Sequence, residues 1–139
     1  MEKKRILVLC TGNSARSQMA EGFLRQFLGD SFEVYSAGTA PGIVRPEAIA
    51  VMNEAGIDIS SQWSKSVNEY TGSRFDYVLT VCDNAREACP YFPAKTKMIH
   101  HSFEDPAVVG GDENSRLEAF RRVRDAIREY ILGDFRSEL

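Results

Sequence analysis

Several things are scarce in this 139-residue chain, and each scarcity excludes something. It has two histidines, His100 and His101, side by side. Neighbouring side chains on a strand point to opposite faces, so the pair does not build a metal cluster, and no metal site is expected. Cysteines number three, Cys10, Cys82 and Cys89. An odd count argues against a structural disulfide framework and fits a reducing compartment, and C-x6-C is not a zinc spacing. No apolar run approaches the ~20 residues that cross a bilayer. The start, MEKKRILVLC, is charged and then briefly apolar, with no signal-cleavage region. A cytoplasmic monomer with no membrane partner is expected. Excess positive charge is also missing: 17 Lys and Arg against 20 Asp and Glu leave a net charge of -3. That balance gives no general attraction to nucleic acid, so an anionic substrate must be drawn by a local field. No cofactor motif is visible, and any electrons must come from protein thiols.

What is present suits one soluble domain spanning 1–139. Hydrophobic residues make up 43% of the chain, enough for a core at this length. Strands are expected over 5–10, 32–37, 75–82 and 97–102. The first helix runs from about Ser17 to Leu28, with Met19, Ala20, Phe23, Leu24, Phe27 and Leu28 on its packing side. Pro46 opens a second helix as a good first-turn residue, and Gly56 closes it. The stretch IDISSQWSKSVNEYTGSR is polar and irregular, and is expected to cross the top of the sheet with at most a short helix. Ser115 with Glu118 reads as a capping box for the last helix, whose stripe is Leu117, Phe120, Val123, Ile127 and Ile131. This alternation implies an α/β fold: an open four-stranded parallel sheet with helices on both faces. In such sheets ligands bind beyond the carboxyl ends of the strands.

The chemistry concentrates at that end. RILVLC runs straight into TGNSARS, which places Cys10 at the end of the first strand and Arg16 six positions later. C-x5-R lets one turn of backbone wrap an oxyanion, its N–H groups forming a nest and the following helix adding its positive end. Gly12 is the residue expected to permit the tight or left-handed geometry. Arg16 supplies a bidentate, permanently charged fork. The same field is expected to lower the pKa of Cys10 and favour the nucleophilic thiolate.

Cys82 ends the third strand. If strands one and three are neighbours, ~4.8 Å apart, the sulfurs of Cys10 and Cys82 meet across the mouth of the site. Asn84 and Glu87 signal a short helix between Cys82 and Cys89, stopped by Pro90. Seven residues at ~1.5 Å rise separate these cysteines by ~10 Å, beyond the ~7 Å Cα limit of a disulfide. The segment is therefore expected to be helical when reduced and unwound when Cys82 and Cys89 are joined. For proton donation, FEDPAVVGGDE offers Glu104, Asp105 and Asp112. Asp105 is favoured because Pro106 holds it extended.

Together, CTGNSARSQMAEG, SAGT, EAGIDIS, VCDNAREACP and EDPA closely resemble the thioredoxin-coupled arsenate reductases. Their fold is that of the low-molecular-weight protein tyrosine phosphatases. The likeness runs from Arg5 to the final helix. It implies that Thr11, Gly12, Asn13, Ser14, Ala15, Arg16 and Ser17 bind arsenate, with phosphate or sulfate as mimics, and that Asn13 and Ser17 brace the loop. Cys10 would attack arsenic while Asp105 protonates the departing hydroxyl. Cys82 would then attack Cys10 and release arsenite, and Cys89 would attack Cys82 to present a disulfide to thioredoxin. A glutaredoxin or small thiol stays open as reductant, although the third cysteine favours thioredoxin. A phosphatase for phosphotyrosine or small phosphate esters is the alternative, since it needs only Cys10, Arg16 and Asp105.

One departure stands out. Some members hold a potassium ion at positions matching Asn13, Glu21 and Ser36, together with a threonine and an aspartate where this chain has Trp63 and Lys65. The expectation is that the Lys65 ammonium takes the ion's place and neutralises Glu21. The alternative leaves Lys65 in solvent.

Overall fold

The computed structural model describes residues 3–82 and 96–139. Four strands, β1 (Lys4–Cys10), β2 (Phe32–Gly38), β3 (Tyr77–Thr80) and β4 (Lys97–His100), form one parallel sheet in the order β2-β1-β3-β4. The α-helices are α1 (Arg16–Leu28), α2 (Pro46–Glu54) and α3 (Glu113–Tyr130), the last running on into a π-helical turn, Ile131–Phe135. Strand β1 is central, and Ile6, Leu7, Val8 and Leu9 are fully buried. A strand covered on both faces needs such a continuous apolar run.

Helical elements flank both faces. Helix α1 packs on β1 and β2, and the three described α-helices touch one another. Met19, Ala20, Phe23 and Leu24 of α1 meet Phe120, Val123 and Ile127 of α3 in one core. On the far side of β2, Tyr35 packs edge-on against Tyr70 and Phe75. Tyr70 belongs to a 3-10 turn, Val67–Tyr70.

The sequence-based elements need two corrections. Strands β3 and β4 are shorter than the apolar runs, because ladder pairing is confined to Ile6↔Tyr77 through Leu9↔Thr80 and Tyr77↔Lys97 through Thr80↔His100. Helix α3 is capped by Asp112, whose carboxylate accepts the Ser115 N–H at 2.8 Å, so Ser115 lies inside the helix. An aspartate three residues before Ser115 is the better acceptor for a positive helix end. The complete capping box is instead at Ser66 and Glu69, on the 3-10 turn. The helix expected between Asn84 and Glu87, and Cys89 with it, lies outside the described residues. Among the described residues no helix is long and apolar enough to cross a membrane.

Candidate active site

The loop 10–17 leaves β1 at the carboxyl end of the sheet and enters α1. Its carbonyls are held from outside: Thr39 N–H donates to Cys10 O (3.2 Å), Ala40 N–H to Thr11 O (2.8 Å), Gly42 N–H to Gly12 O (3.0 Å) and Arg45 N–H to Ser14 O (2.8 Å). In a trans peptide the next N–H points opposite to each carbonyl. The N–H groups of Thr11, Gly12, Asn13 and Ala15 are thereby turned away from the bracing segment 39–45. Helix α1 begins without a side-chain cap and without an acidic residue in its first turn. Its positive end stays available to an anion.

Asn13, not Gly12, takes the left-handed conformation, with φ 46°. Asparagine tolerates that region better than other non-glycine residues, and tertiary bonds lock it here. Its Nδ2 donates to Ser17 Oγ (2.8 Å) and Ser36 Oγ (2.9 Å), and its Oδ1 accepts from Lys65 N–H (2.9 Å). Gln18 Nε2 donates to Asn13 O at 2.9 Å, and Ser64 Oγ to Gly12 O at 2.9 Å. Gly38 closes the floor, because a Cβ there would sit 2.5 Å from Thr11 O and 2.8 Å from Asn13 N. Gln18, Gly38 and Ser64 carry no sequence motif that points to these roles. The only local signal was Gly38 at the end of a strand.

Cys10 is buried, and its sulfur accepts from the backbone N–H and the hydroxyl of Ser17. Cys82 follows Val81, whose N–H donates to Leu9 O at 2.9 Å, so it stands beside Cys10 at the end of the sheet. Neither Cys10 nor Cys82 is in a disulfide. The expected fall in the Cys10 pKa is not what this geometry produces. The neighbouring Cys82 sulfur and, after it, burial push the Cys10 thiol up, while Ser17 and the Arg16 guanidinium pull it down and are outweighed. Two adjacent thiols titrate as a pair, and the first charge makes the second harder to form. Thr11 Oγ1 lies 3.3 Å from Cys82 Sγ, so this hydroxyl faces the second cysteine.

Arg16 donates to Phe103 O (3.1 Å), and its other terminal nitrogen is 3.8 Å from Asp105 Oδ2. Asp105 Oδ1 accepts the Ala107 N–H at 3.0 Å, which fixes the carboxyl at the head of a short 3-10 turn, Pro106–Val108. The other two carboxyls are used elsewhere. Glu104 pairs with Arg122 at 2.7 Å, and Asp112 caps α3. Loop 10–17, Cys82 and Asp105 thus converge on one mouth.

Lys65 is not in solvent. Its side chain is 5% exposed, and its Nζ lies 3.7 Å from Glu21 Oε1, itself 4% exposed. Nζ donates to Trp63 O at 2.7 Å and lies 4.7 Å from the Trp63 ring centre. Burial holds the ammonium's pKa below the ordinary lysine value, and Glu21 pulls the other way. Glu21 also accepts from Ser36 Oγ and from Arg25 Nε. A potassium ion does not fit these residues, because the cation beside Glu21 is supplied by the chain.

A model of the family described as low molecular weight phosphotyrosine protein phosphatase matches residues 5–135. The arsenate reductase of Halalkalibacterium halodurans is 45% identical over 131 residues, 94% of each chain. A solved arsenate reductase in its oxidized state superposes with a TM-score of 0.79 at 33% identity, covering 92% of this chain and 93% of that one. A thioredoxin-dependent arsenate reductase of Corynebacterium glutamicum superposes with a TM-score of 0.70 at 28% identity, over 97% of this chain and 63% of that one.

Proposed function

This chain is an enzyme of the low molecular weight phosphotyrosine protein phosphatase family, in its arsenate reductase branch, and on that premise we propose that it reduces arsenate to arsenite through Cys10, Cys82 and Cys89 in turn. The observation that carries this reading is a second cysteine set beside the anion loop: Val81 N–H donates to Leu9 O at 2.9 Å, and Thr11 Oγ1 lies 3.3 Å from Cys82 Sγ. Ester hydrolysis needs only Cys10, Arg16 and Asp105, whereas reduction needs a further thiol to take up the oxidation.

The loop amides and the Arg16 fork hold the oxygens of the arsenate anion, as a preorganised anion cradle does. Cys10 passes its proton to an oxygen of the arsenate dianion, and Ser17 and Arg16 stabilise the thiolate that remains. The thiolate attacks arsenic(V). One arsenic–oxygen bond breaks, and Asp105 supplies the proton that lets the oxygen leave as water. Cys82, its sulfur beside the Thr11 hydroxyl, then attacks Cys10. The sulfur–arsenic bond breaks, its electron pair stays on arsenic, and arsenite departs. Two thiols have become the Cys10–Cys82 disulfide as arsenic gained two electrons. Cys89 attacks Cys82 and frees Cys10. The Cys82–Cys89 disulfide is then reduced by the dithiol of thioredoxin, the reductant named for the Corynebacterium glutamicum protein.

Lys65 takes the place of an alkali ion beside Glu21 in this proposal, and turnover does not require potassium. Strong activation of the wild-type enzyme by potassium would overturn that part.

The test is an assay coupled to thioredoxin, thioredoxin reductase and NADPH, run beside hydrolysis of an aryl phosphate. Cys10→Ser abolishes both activities. Cys82→Ser and Cys89→Ser each stop arsenate turnover and leave ester hydrolysis largely intact. Full arsenate turnover in both of those variants would refute the relay.

A further inference from the structure

Asn13 stands in the left-handed conformation within loop 10–17, with φ 46°. Such backbone persists only where its surroundings hold it. The carbonyls on either side are held by backbone: Cys10 O, Thr11 O, Gly12 O and Ser14 O accept from the N–H groups of Thr39, Ala40, Gly42 and Arg45. Asn13 O is held by a side chain, Gln18 Nε2, at 2.9 Å. Gln18 is fully buried. Its Nε2 also donates to Trp63 O at 2.9 Å, and its Oε1 accepts from Gln62 Nε2 at 2.8 Å. Two carbonyl oxygens can be met only by donors, so the partners fix which way the Gln18 amide faces. Segments 62–66 and 39–45 stand on the same side of the loop, because Ser64 Oγ accepts the Gly42 N–H at 3.1 Å and donates to Gly12 O at 2.9 Å. The Asn13 carbonyl therefore points to the braced side, as its neighbours do.

We propose that Gln18 is a positioning residue for the oxyanion: by holding the Asn13 carbonyl to the braced side, its amide aims the Ser14 N–H into the anion cradle. The peptide joining Asn13 to Ser14 is trans, so the Ser14 N–H points opposite to the Asn13 carbonyl. It faces away from Gln18, with the N–H groups of Thr11, Gly12 and Asn13. A donor fixed in this way needs no reorientation when the anion arrives. Without the Gln18 amide the peptide loses that tie. Turning it over would put a carbonyl oxygen where the anion needs a donor. Gln18 touches neither the anion nor the Cys10 sulfur in this account, whereas Arg16 is a direct ligand.

The inference rests on the oxyanion-binding reading of the loop, and inorganic phosphate, measured by isothermal calorimetry, separates the two. Gln18→Met keeps the side-chain length and removes both donated hydrogen bonds. It binds phosphate at least about tenfold more weakly than wild type, the weight of one hydrogen bond to a charged group, and kcat/KM for 4-nitrophenyl phosphate falls by at least about the same factor. Gln62→Met loosens segment 62–66 and leaves the bond to Asn13 O, so phosphate affinity stays near wild type. Gln18→Glu supplies a pH readout, because a protonated carboxyl donates one hydrogen bond and a carboxylate none. Burial raises the pKa of that carboxyl. Relative to wild type, its phosphate affinity is therefore higher at about pH 5 than at about pH 8. Should Gln18→Met not fold, this ratio still decides. Unchanged phosphate affinity in Gln18→Met, equal losses in Gln18→Met and Gln62→Met, or a Gln18→Glu ratio indifferent to pH would overturn the proposal and leave Gln18 a strut for segment 62–66. Wild-type protein that binds no phosphate would instead remove the oxyanion reading itself.

Discussion

Lys65 Nζ lies 3.7 Å from Glu21 Oε1, with both side chains almost wholly out of water. From Glu21 the contacts run through Ser36 Oγ to Asn13 Nδ2, then to Ser17 Oγ and the Cys10 sulfur. The buried ion pair is thus wired to the nucleophile.

Removing Lys65 tests what the pair does. Lys65→Met leaves the Glu21 carboxylate buried with Arg25 as its remaining cation. Breaking a buried pair on one side costs about 3–5 kcal/mol, and Arg25 reduces the expected loss to about 2 kcal/mol. Urea denaturation reads this directly. The double variant Lys65→Met/Glu21→Gln recovers most of the loss, since no unpaired charge remains. A double variant less stable than the single one would contradict this account.

Gly38→Ala probes the floor of the loop. The new Cβ would lie 2.5 Å from Thr11 O and 2.8 Å from Asn13 N, and both atoms are backbone. The loop must shift. A misplacement near 1 Å costs on the order of 100-fold in rate, so kcat/KM for aryl phosphate falls by about that factor. The sheet survives, with about 1–3 kcal/mol of strain. Circular dichroism beside kinetics separates the two effects.

Cys82 is the largest cause of the raised Cys10 pKa. Cys82→Ala therefore moves the Cys10 titration down, and site-resolved alkylation by iodoacetamide at neutral pH becomes faster at Cys10. The stability consequence has a definite sign. Wild-type Cys10 keeps its proton in the folded state above the ordinary thiol value of 9.0, where the unfolded chain releases it. The contribution to stability is full below that value and is lost as pH rises through the folded pKa. Cys82→Ala shrinks this alkaline loss. Unchanged alkylation kinetics would show that the sulfurs do not share a proton.

Asp105→Asn keeps the turn at Pro106, because an amide oxygen can still accept the Ala107 N–H. It removes the proton donor. A general acid is worth about 100- to 10,000-fold, so kcat for esters with poor leaving groups falls by at least ~100-fold. Esters with good leaving groups suffer much less. Equal losses for both would assign Asp105 to positioning Arg16 instead.

Residues whose neighbours in space are also their neighbours in sequence were legible. The run from RILVLC through TGNSARS into an amphipathic helix set Cys10 at one end of a strand-to-helix loop and Arg16 at the other, although the bonds that brace that loop come from residues 36–65. Cys82 was expected to end the third strand, but β3 stops at Thr80 and Cys82 follows two residues later, because pairing with β1 some seventy positions away sets where the strand ends. The cap of α3 was misplaced although it is local. Asp112 and Ser115 both offer oxygen at the right distance along the chain, and only the entry angle of the backbone chooses between them.

The apolar runs, the punctuation at Pro46 and Gly56 and the C-x5-R spacing determined the parallel α/β architecture and the chemistry available to it. Burial and long-range pairing decided the rest. A lysine's charge says nothing about whether water or a carboxylate will surround it, and only the closing of segment 62–66 over the loop put Lys65 against Glu21. A cysteine's own sequence context likewise cannot set its pKa. That value depends on how near another sulfur lies, and β1 and β3 bring Cys10 and Cys82 together from 72 positions apart.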